Sequence, residues 1–208
     1  MAVITRYLDP TQIPFDDKRV CSFLKIRKKS DRLAIINEMI ARLYDQYRSD
    51  FEPRYRYQIC RVTAAQSSAF RVLLDNGVSF TGKGIYQLLA QARYAAVFIL
   101  TVGDKVETRL AKLSQEDFAE AYFLDGIASA MADGLLRVLR HELDKEAVKL
   151  GCELSYRFSP GYARWDLPEQ EKIFKLLKAE EIGITLTEAY FMVPQKSLSG
   201  VYGFRSKT

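Results

Sequence analysis

The chain has little of the side-chain chemistry on which most hydrolases and metalloenzymes depend. It contains a single histidine, His141, and three cysteines, Cys21, Cys60 and Cys152, which are far apart and form no C-x-x-C pair. Neither a zinc site nor a disulfide framework is indicated by such spacing. A Ser-His-Asp triad would have to use His141, which we place on the surface of a long helix, and no G-x-S-x-G or G-x-G-x-x-G motif is present. We therefore expect no catalytic nucleophile and no metal site.

Long apolar runs are also missing. No stretch approaches the roughly 20 apolar residues of a membrane span, and residues 1–14 lack the pattern of a signal peptide. An odd number of scattered cysteines favours a reducing compartment. These absences predict a cytoplasmic protein with no membrane partner.

What the chain does have is enough apolar sequence for a substantial core. It contains 208 residues, of which 48% are hydrophobic and 27% charged, with a net charge of +5. Basic residues cluster at Lys25–Lys29 and at Arg54, Arg56 and Arg61. Such clusters dock nucleic acid or an acidic partner in some proteins, but mixed charge along the chain favours a solvated basic face. We expect one unit over residues 1–208, with a divergent lobe (1–100) and a ligand-binding part (101–208).

The first half of the chain predicts a leader followed by alternating helices and strands. Residues 1–29 suggest an irregular segment with a turn or short helix at Val20–Leu24. Ser30 is the expected N-cap of an amphipathic helix that ends before Pro53. Its apolar residues recur at helical spacing: Leu33, Ile36, Ile40, Leu43, Tyr44 and Tyr47.

A strand follows in which Tyr55, Tyr57 and Ile59 alternate with polar residues. An aromatic row beside arginines can stack nucleic-acid bases, although core packing is the commoner use of such a row. Asn76-Gly77 between two apolar runs predicts a hairpin of Phe70–Leu74 and Val78–Thr81. Thr81–Gly84 lacks phosphate-loop spacing and is interpreted as a turn into a helix at Ile85–Arg93. The nearly continuous apolar run Ala95–Val102 predicts a central strand.

A long helix is predicted over Glu116–Lys149, capped by Ser114 and closed by Gly151. Its middle is rich in glycine, alanine and serine, which allows another backbone or a ligand to approach closely. Asp125, Ser129 and Asp133 follow one another at one-turn intervals there. They either satisfy a buried network or hold a ligand cation, and the sequence leaves both open.

The C-terminal third predicts a strand at Cys152–Arg157 and a helix at Leu167–Lys178 with an Asp166/Glu169 capping box. Two strands, Thr187–Val193 and Ser197–Phe204, finish the chain. The fold class is therefore α+β, with a mixed or antiparallel twisted sheet, one long helix and flanking helices.

The loop after the predicted strand Cys152–Arg157 has the features of a ligand-binding turn. Arg157 offers a planar fork suited to a carboxylate. Pro160 fixes one backbone angle, Gly161 permits a close approach, and Tyr162 supplies a flat wall and a hydroxyl.

Four segments in order resemble the activation domain of cobalamin-dependent methionine synthase. They are the loop Arg157–Tyr162, the helix after it, the G-x-x-L-T-E segment Gly183–Glu188, and the S-G-x-Y segment Ser199–Tyr202. Residues 101–143 resemble stand-alone members of that family more loosely, and residues 1–60 show little similarity. The resemblance implies the fold of that domain.

The resemblance also implies a ligand and a set of contacts. In the family the domain binds S-adenosylmethionine over a corrinoid that has oxidised to cob(II)alamin. Flavodoxin or ferredoxin delivers an electron, and S-adenosylmethionine donates the methyl group. By motif match, Arg157 holds the methionine carboxylate, and Phe158, Ser159, Pro160, Gly161 and Tyr162 line the ligand. Asp133 takes the helical place where the family has a longer glutamate facing the ligand's amino group.

Because the catalytic modules of methionine synthase are not in this sequence, we expect the chain to act in trans. Its partner is then a corrinoid-binding methionine synthase or another corrinoid protein that carries the cobalamin. The function implied is a reactivation subunit that assists reductive methylation. The alternatives are a ligand-sensing or structural subunit without turnover, and a nucleic-acid-binding protein that uses the arginine–tyrosine strand.

Overall fold

An antiparallel sheet of seven strands lies at the centre of the protein. The structure, a computed structural model, describes residues 1–26 and 33–206. The strands are β1 (Ile4–Tyr7), β2 (Arg54–Gln66), β3 (Arg71–Leu74), β4 (Ser79–Thr81), β5 (Tyr94–Thr101), β6 (Cys152–Phe158), β7 (Thr185–Leu186), β8 (Met192–Val193) and β9 (Ser197–Ser206). Along the sheet the strands follow the order β4-β3-β2-β5-β9-β6, and β1 pairs with the first part of β2. β7 and β8 form a separate two-stranded sheet.

Helices cover both faces of the sheet. They are α1 (Asp17–Phe23), α2 (Leu33–Tyr47), α3 (Lys83–Leu89), α4 (Lys105–Glu116), α5 (Phe118–Lys149) and α6 (Gln170–Leu177). Helices α1, α2, α4 and α5 share one hydrophobic cluster with one face of the sheet, and α3 and α6 share another with the opposite face. The predicted α+β class is confirmed, and the sheet is antiparallel.

The central position of β5 follows from its composition. Ala95–Thr101 are all buried, and successive side chains enter the two hydrophobic clusters alternately. A strand covered on both faces needs an apolar residue at nearly every position, which the sequence run provides. The predicted helix of residues 33–47 and the hairpin around Asn76-Gly77, where Gly77 has φ +83°, are confirmed as well.

The short helix expected at Val20–Leu24 is confirmed by α1, but the prediction that the rest of residues 1–26 is irregular was wrong. β1 pairs with β2 through Ile4↔Tyr57 and neighbouring positions, and α1 begins after Asp16, whose side chain accepts a hydrogen bond from the Lys18 amide. The pairing partner of β1 lies some fifty residues away, so no local pattern announces this strand. The predicted N-cap Ser30 lies outside the described residues.

The long helix begins at a different cap from the one predicted. Asp117 accepts a hydrogen bond from the Glu120 amide at 3.0 Å and caps α5, whereas Ser114 lies inside α4 and donates to the Ala111 carbonyl. The glycine after the helix, Gly151, has φ +67° as its closing role requires.

Two C-terminal predictions were also wrong. The side chain of Asp166 makes no capping hydrogen bond, and the Glu169 carboxylate instead accepts from the Thr81 amide at 2.9 Å. A 3-10 turn, Leu167–Glu169, precedes α6. The predicted strand Thr187–Val193 is mostly a turn, in which the Thr187 amide donates a hydrogen bond to the Phe191 carbonyl. The residues that pair as strands here are those of β7 and β8.

Candidate functional site

A cleft of about 360 Å³ lies where α1, α5, β6 and the start of β9 meet. Arg19 and Phe23 reach it from α1, Asp133 from α5 and Arg157 from β6. Pockets of about this volume hold small molecules in other proteins. The structure therefore brings together Arg157 and Asp133, two residues that the sequence selected from distant segments.

Asp133 is held in a bidentate ion pair across the cleft. Its Oδ2 accepts from Arg19 Nε at 3.0 Å and its Oδ1 from Arg19 Nη2 at 2.8 Å. Arg137, one turn along α5, approaches the same carboxylate to 3.6 Å. The guanidinium of Arg19 also lies over the Phe23 ring, 5.0 Å from its centroid. Asp133 is thus neutralised by the protein itself.

Lys196 is the third cation of the cleft, and it too has a partner. Its ammonium lies 2.7 Å from Asp125 Oδ1 and 3.0 Å from Ser129 Oγ. The acidic row on α5, which the sequence assigned either to a network or to a ligand cation, is therefore neutralised by protein side chains.

Arg157 differs from these two cations. It lies near the end of β6, paired in register with Tyr202 of β9, and is exposed. Within residues 1–26 and 33–206, its side chain has neither a hydrogen-bond nor an ion-pair partner. A guanidinium with free donors at the wall of a cleft is suited to bind a carboxylate.

The rest of the predicted loop does not line this cleft. Phe158 turns to the opposite face of the sheet and stacks on Trp165, with ring centroids 5.7 Å apart. Ser159 donates to the Ser199 carbonyl at 2.7 Å, Pro160 is buried, and Tyr162 is 68% exposed. Gly161, at φ +87°, donates its amide to the Trp165 carbonyl and closes the turn.

Sequence reasoning missed Arg19, Phe23 and Lys196 as cleft residues. Arg19 lies just before the turn or short helix expected at Val20–Leu24, in a leader otherwise interpreted as irregular, and no pattern connected it with Asp133, 114 residues away. Lys196 lies between the two strands predicted at the end of the chain, and nothing in the sequence indicated it as a site residue.

The arginine–tyrosine strand is engaged within the protein. Arg54 donates to the Ile182 carbonyl at 2.7 Å, and Arg56 donates to Glu181 at 2.7 Å. The hydroxyls of Tyr55 and Tyr57 both donate to Glu142, and both rings are buried. These side chains are therefore not free to stack bases, which removes the basis of the nucleic-acid hypothesis.

Within residues 1–26 and 33–206, no helix is both long and apolar enough to cross a membrane. Nor do three or more His, Cys, Asp or Glu side chains of the described segments gather into a group able to hold a metal ion.

Comparison with known proteins bears on the whole fold. The chain matches a solved structure described as "Crystal Structure of the MetH Reactivation Domain bound to AdoHcy" with a TM-score of 0.77 and 14% sequence identity, covering 100% of this chain and 80% of that one. No curated protein sequence matches the chain. The sequence profile of the family described as "Vitamin B12 dependent methionine synthase, activation domain" matches residues 84–208, more than half of the chain. The chain therefore belongs to the activation-domain family of vitamin B12-dependent methionine synthase.

Proposed function

We propose that this protein is a reactivation subunit that binds S-adenosylmethionine and presents its methyl group to the cobalamin of a separate corrinoid protein. That partner is a corrinoid-binding methionine synthase or another corrinoid methyltransferase component, and flavodoxin or ferredoxin supplies the electron. Family membership supports the assignment. The single observation that carries it is the placing of Arg157 and Asp133 on two walls of one cleft.

Opposite charges on facing walls suit the amino-acid end of the ligand. Arg157 has free donors for the carboxylate, and Asp133 offers an acceptor for the ammonium once it exchanges Arg19 for the ligand. Apolar side chains of Phe23 and Leu136 supply surface for the rest of the molecule. The partner's cobalt would accept the methyl group, and the residues of this chain would bind and orient its donor.

Different parts of the predicted loop take different roles in this proposal. Gly161 and Tyr162 are exposed and can reach a ligand that extends out of the cleft. Phe158, Ser159 and Pro160 make contacts that hold the loop in place and so act on the ligand through Arg157. The ligand-binding part then includes α1, although residues 1–100 were expected to form a divergent lobe.

The first test is calorimetric titration with S-adenosylmethionine of the wild type, Arg157→Ala and Arg71→Ala. Arg71 is a matched control because it is an exposed arginine on the distant strand β3. Saturable binding by the wild type and Arg71→Ala, with loss in Arg157→Ala, is expected. Equal affinity in all three proteins would remove Arg157 from the site and refute the proposal.

A ligand-sensing or structural subunit is the second candidate, favoured by the ion pair that Arg19 makes with Asp133. A pair internal to the protein keeps the cleft neutral at that wall without any ligand. Transfer of a labelled methyl group from S-adenosylmethionine to a partner's cobalamin, in the presence of reduced flavodoxin, separates the candidates. Transfer that depends on this protein supports reactivation, whereas binding without transfer supports the second candidate.

A further inference from the structure

The charges that line the cleft do not balance. In the described part of the chain, the lining holds one carboxylate and three cations, which are Asp133, Arg19, Arg157 and Lys196. The charge of Lys196 is met from outside the lining by Asp125, at 2.7 Å, and Glu107 accepts a hydrogen bond from the Lys196 amide at 2.9 Å. The surplus positive charge therefore belongs to Arg19 and Arg157, and Asp133 is the counter-charge that the described lining offers them.

An amino-acid ligand would shift this surplus onto Arg19. Its carboxylate contacts Arg157 and its ammonium contacts Asp133, so each of these two charges gains a partner. Arg19 then gives up its hydrogen bonds of 2.8 and 3.0 Å to Asp133. Arg137, which lies 3.6 Å from the same carboxylate, loses part of its compensation as well. The bound state therefore leaves poorly compensated cations beside the ligand.

Arg19 is held at the cleft by a second contact. Its guanidinium carbon lies 5.0 Å from the centroid of the Phe23 ring, one turn further along α1. This cation–π contact does not depend on Asp133. Because Phe23 itself lines the cleft, Arg19 remains in the wall when a ligand takes its carboxylate.

The donor and the product of methyl transfer differ in charge at one atom. The sulfur of S-adenosylmethionine is a positively charged sulfonium. When the methyl group passes to reduced cobalt, the cobalt supplies the electron pair of the new bond and the sulfur keeps the pair of the broken one. The product, S-adenosylhomocysteine, is thus an uncharged thioether at this position. Like charges about 8 Å apart near a protein surface repel each other enough to change a binding constant about three- to tenfold.

We propose that Arg19 makes the cleft selective for the demethylated ligand, so that S-adenosylhomocysteine binds more tightly than S-adenosylmethionine. This inference rests on the proposed function, since it places the amino-acid end of either ligand between Arg157 and Asp133. The product then competes with the donor at the site, and reactivation depends on the ratio of the two. Arg19 lies outside residues 84–208, which match the family's profile, so the N-terminal part of the chain supplies this selectivity.

Calorimetric titration of both ligands into variants of one position tests the inference. The wild type should bind S-adenosylhomocysteine about three- to tenfold more tightly than S-adenosylmethionine. Arg19→Gln removes the charge and should lower this ratio to less than about twofold, whereas Arg19→Lys retains the charge and should keep the ratio. The release of Asp133 acts equally on both ligands and cancels in the ratio.

Two controls isolate the electrostatic origin of the preference. Arg42→Gln should keep the wild-type ratio, because Arg42 makes a comparable pair of 2.9 Å with Glu120 away from the cleft. Raising the salt concentration from about 0.05 M to about 0.5 M should reduce the ratio in the wild type, because salt screens the repulsion between charges.

The failures of the inference and of the proposed function are distinguishable. Tighter binding of the donor by the wild type, an equal ratio in Arg19→Gln, or a ratio that salt does not change would each overturn the inference. If Arg157→Ala abolishes the binding of both ligands in that case, the proposed function stands. If the wild type binds neither ligand, the proposed function and this inference fall together.

Discussion

Removing Arg19 should tighten the binding of S-adenosylmethionine. In the structure Arg19 holds both oxygens of Asp133, at 2.8 and 3.0 Å, so a ligand ammonium must displace it. Arg19→Ala frees the carboxylate beforehand. It also removes a cation from a cleft that is to receive a sulfonium and an ammonium.

The size of the effect follows from the exposure of the pair. The Arg19 and Asp133 side chains are 45% and 23% exposed, so their interaction is partly screened despite its bidentate geometry. Pairs of this kind contribute about 1 kcal/mol or less. Affinity should therefore rise by up to about fivefold, and the free energy of unfolding should fall by a similar energy.

Calorimetry on four proteins tests this reasoning. Wild type, Arg19→Ala, Asp133→Ala and the double variant form a cycle in which removal of Arg19 tightens binding only while Asp133 is present. Arg42→Ala is the matched control, because Arg42 makes a comparable pair of 2.9 Å with Glu120 away from the cleft. That variant should lose similar stability and keep its affinity.

Weaker binding by Arg19→Ala would refute the reasoning, because it would show that Arg19 itself contacts the ligand. An unchanged affinity would separate Asp133 from the ligand and leave the pair as a structural link between α1 and α5. Asp133→Ala should weaken binding less than Arg157→Ala does.

Three further predictions concern stability. A Cβ on Gly134 would lie 2.6 Å from the Pro14 carbonyl oxygen, so Gly134→Ala should destabilise the protein by about 1 kcal/mol despite its better helix propensity; urea unfolding followed at Trp165 measures this, and an unchanged midpoint would contradict it. Glu142 accepts hydrogen bonds from Arg6, Tyr55 and Tyr57. Glu142→Gln removes the charge from this network and should lower the free energy of unfolding by about 2 kcal/mol, seen as a Tm lowered by about 4–8 °C. An equal Tm would show that the charge of Glu142 does not stabilise the fold. Burial raises the pKa of the Cys60 thiol to about 11. Because the thiol ionises at lower pH in the unfolded state, the free energy of unfolding should fall between about pH 9 and 11. Cys60→Ala should reduce that fall, and an identical pH profile would refute this assignment.

Local pattern was sufficient for elements whose partners are nearby or whose burial is complete. The period of residues 33–47, the Asn76-Gly77 turn and the apolar run of β5 are all decided within a few residues of sequence. The N-cap of α5 could not be predicted from local sequence, because Ser114 and Asp117 are both acceptable caps and only the packing of α4 decides between them.

The candidate site was also predictable from sequence only in part. Arg157 and Asp133 were found through the family resemblance, and the structure places them in one cleft. Arg19 could not be found, since its role depends on the crossing of α1 over α5. Phe158 was predicted to line the ligand, but its contact with Trp165 depends on which face of the sheet it meets. The bulge in β6 between Leu154 and Arg157 affects that choice, and a bulge of this kind has no sequence signature here.

Two glycines of α5 determine where the N-terminal segment lies. At Gly126 a Cβ would come within 2.6 Å of the Leu24 side chain, and at Gly134 within 2.6 Å of the Pro14 backbone. Leu24 and Pro14, which pack closely against these two glycines, lie at the two ends of the stretch that contains α1. Helix α1 in turn brings Arg19 and Phe23 to the cleft. One wall of the cleft therefore comes from residues outside the segment 84–208 that matches the family's sequence profile. Under the proposed function, substitutions confined to α1 would therefore alter one wall of the ligand site and leave the Arg157 wall as it is.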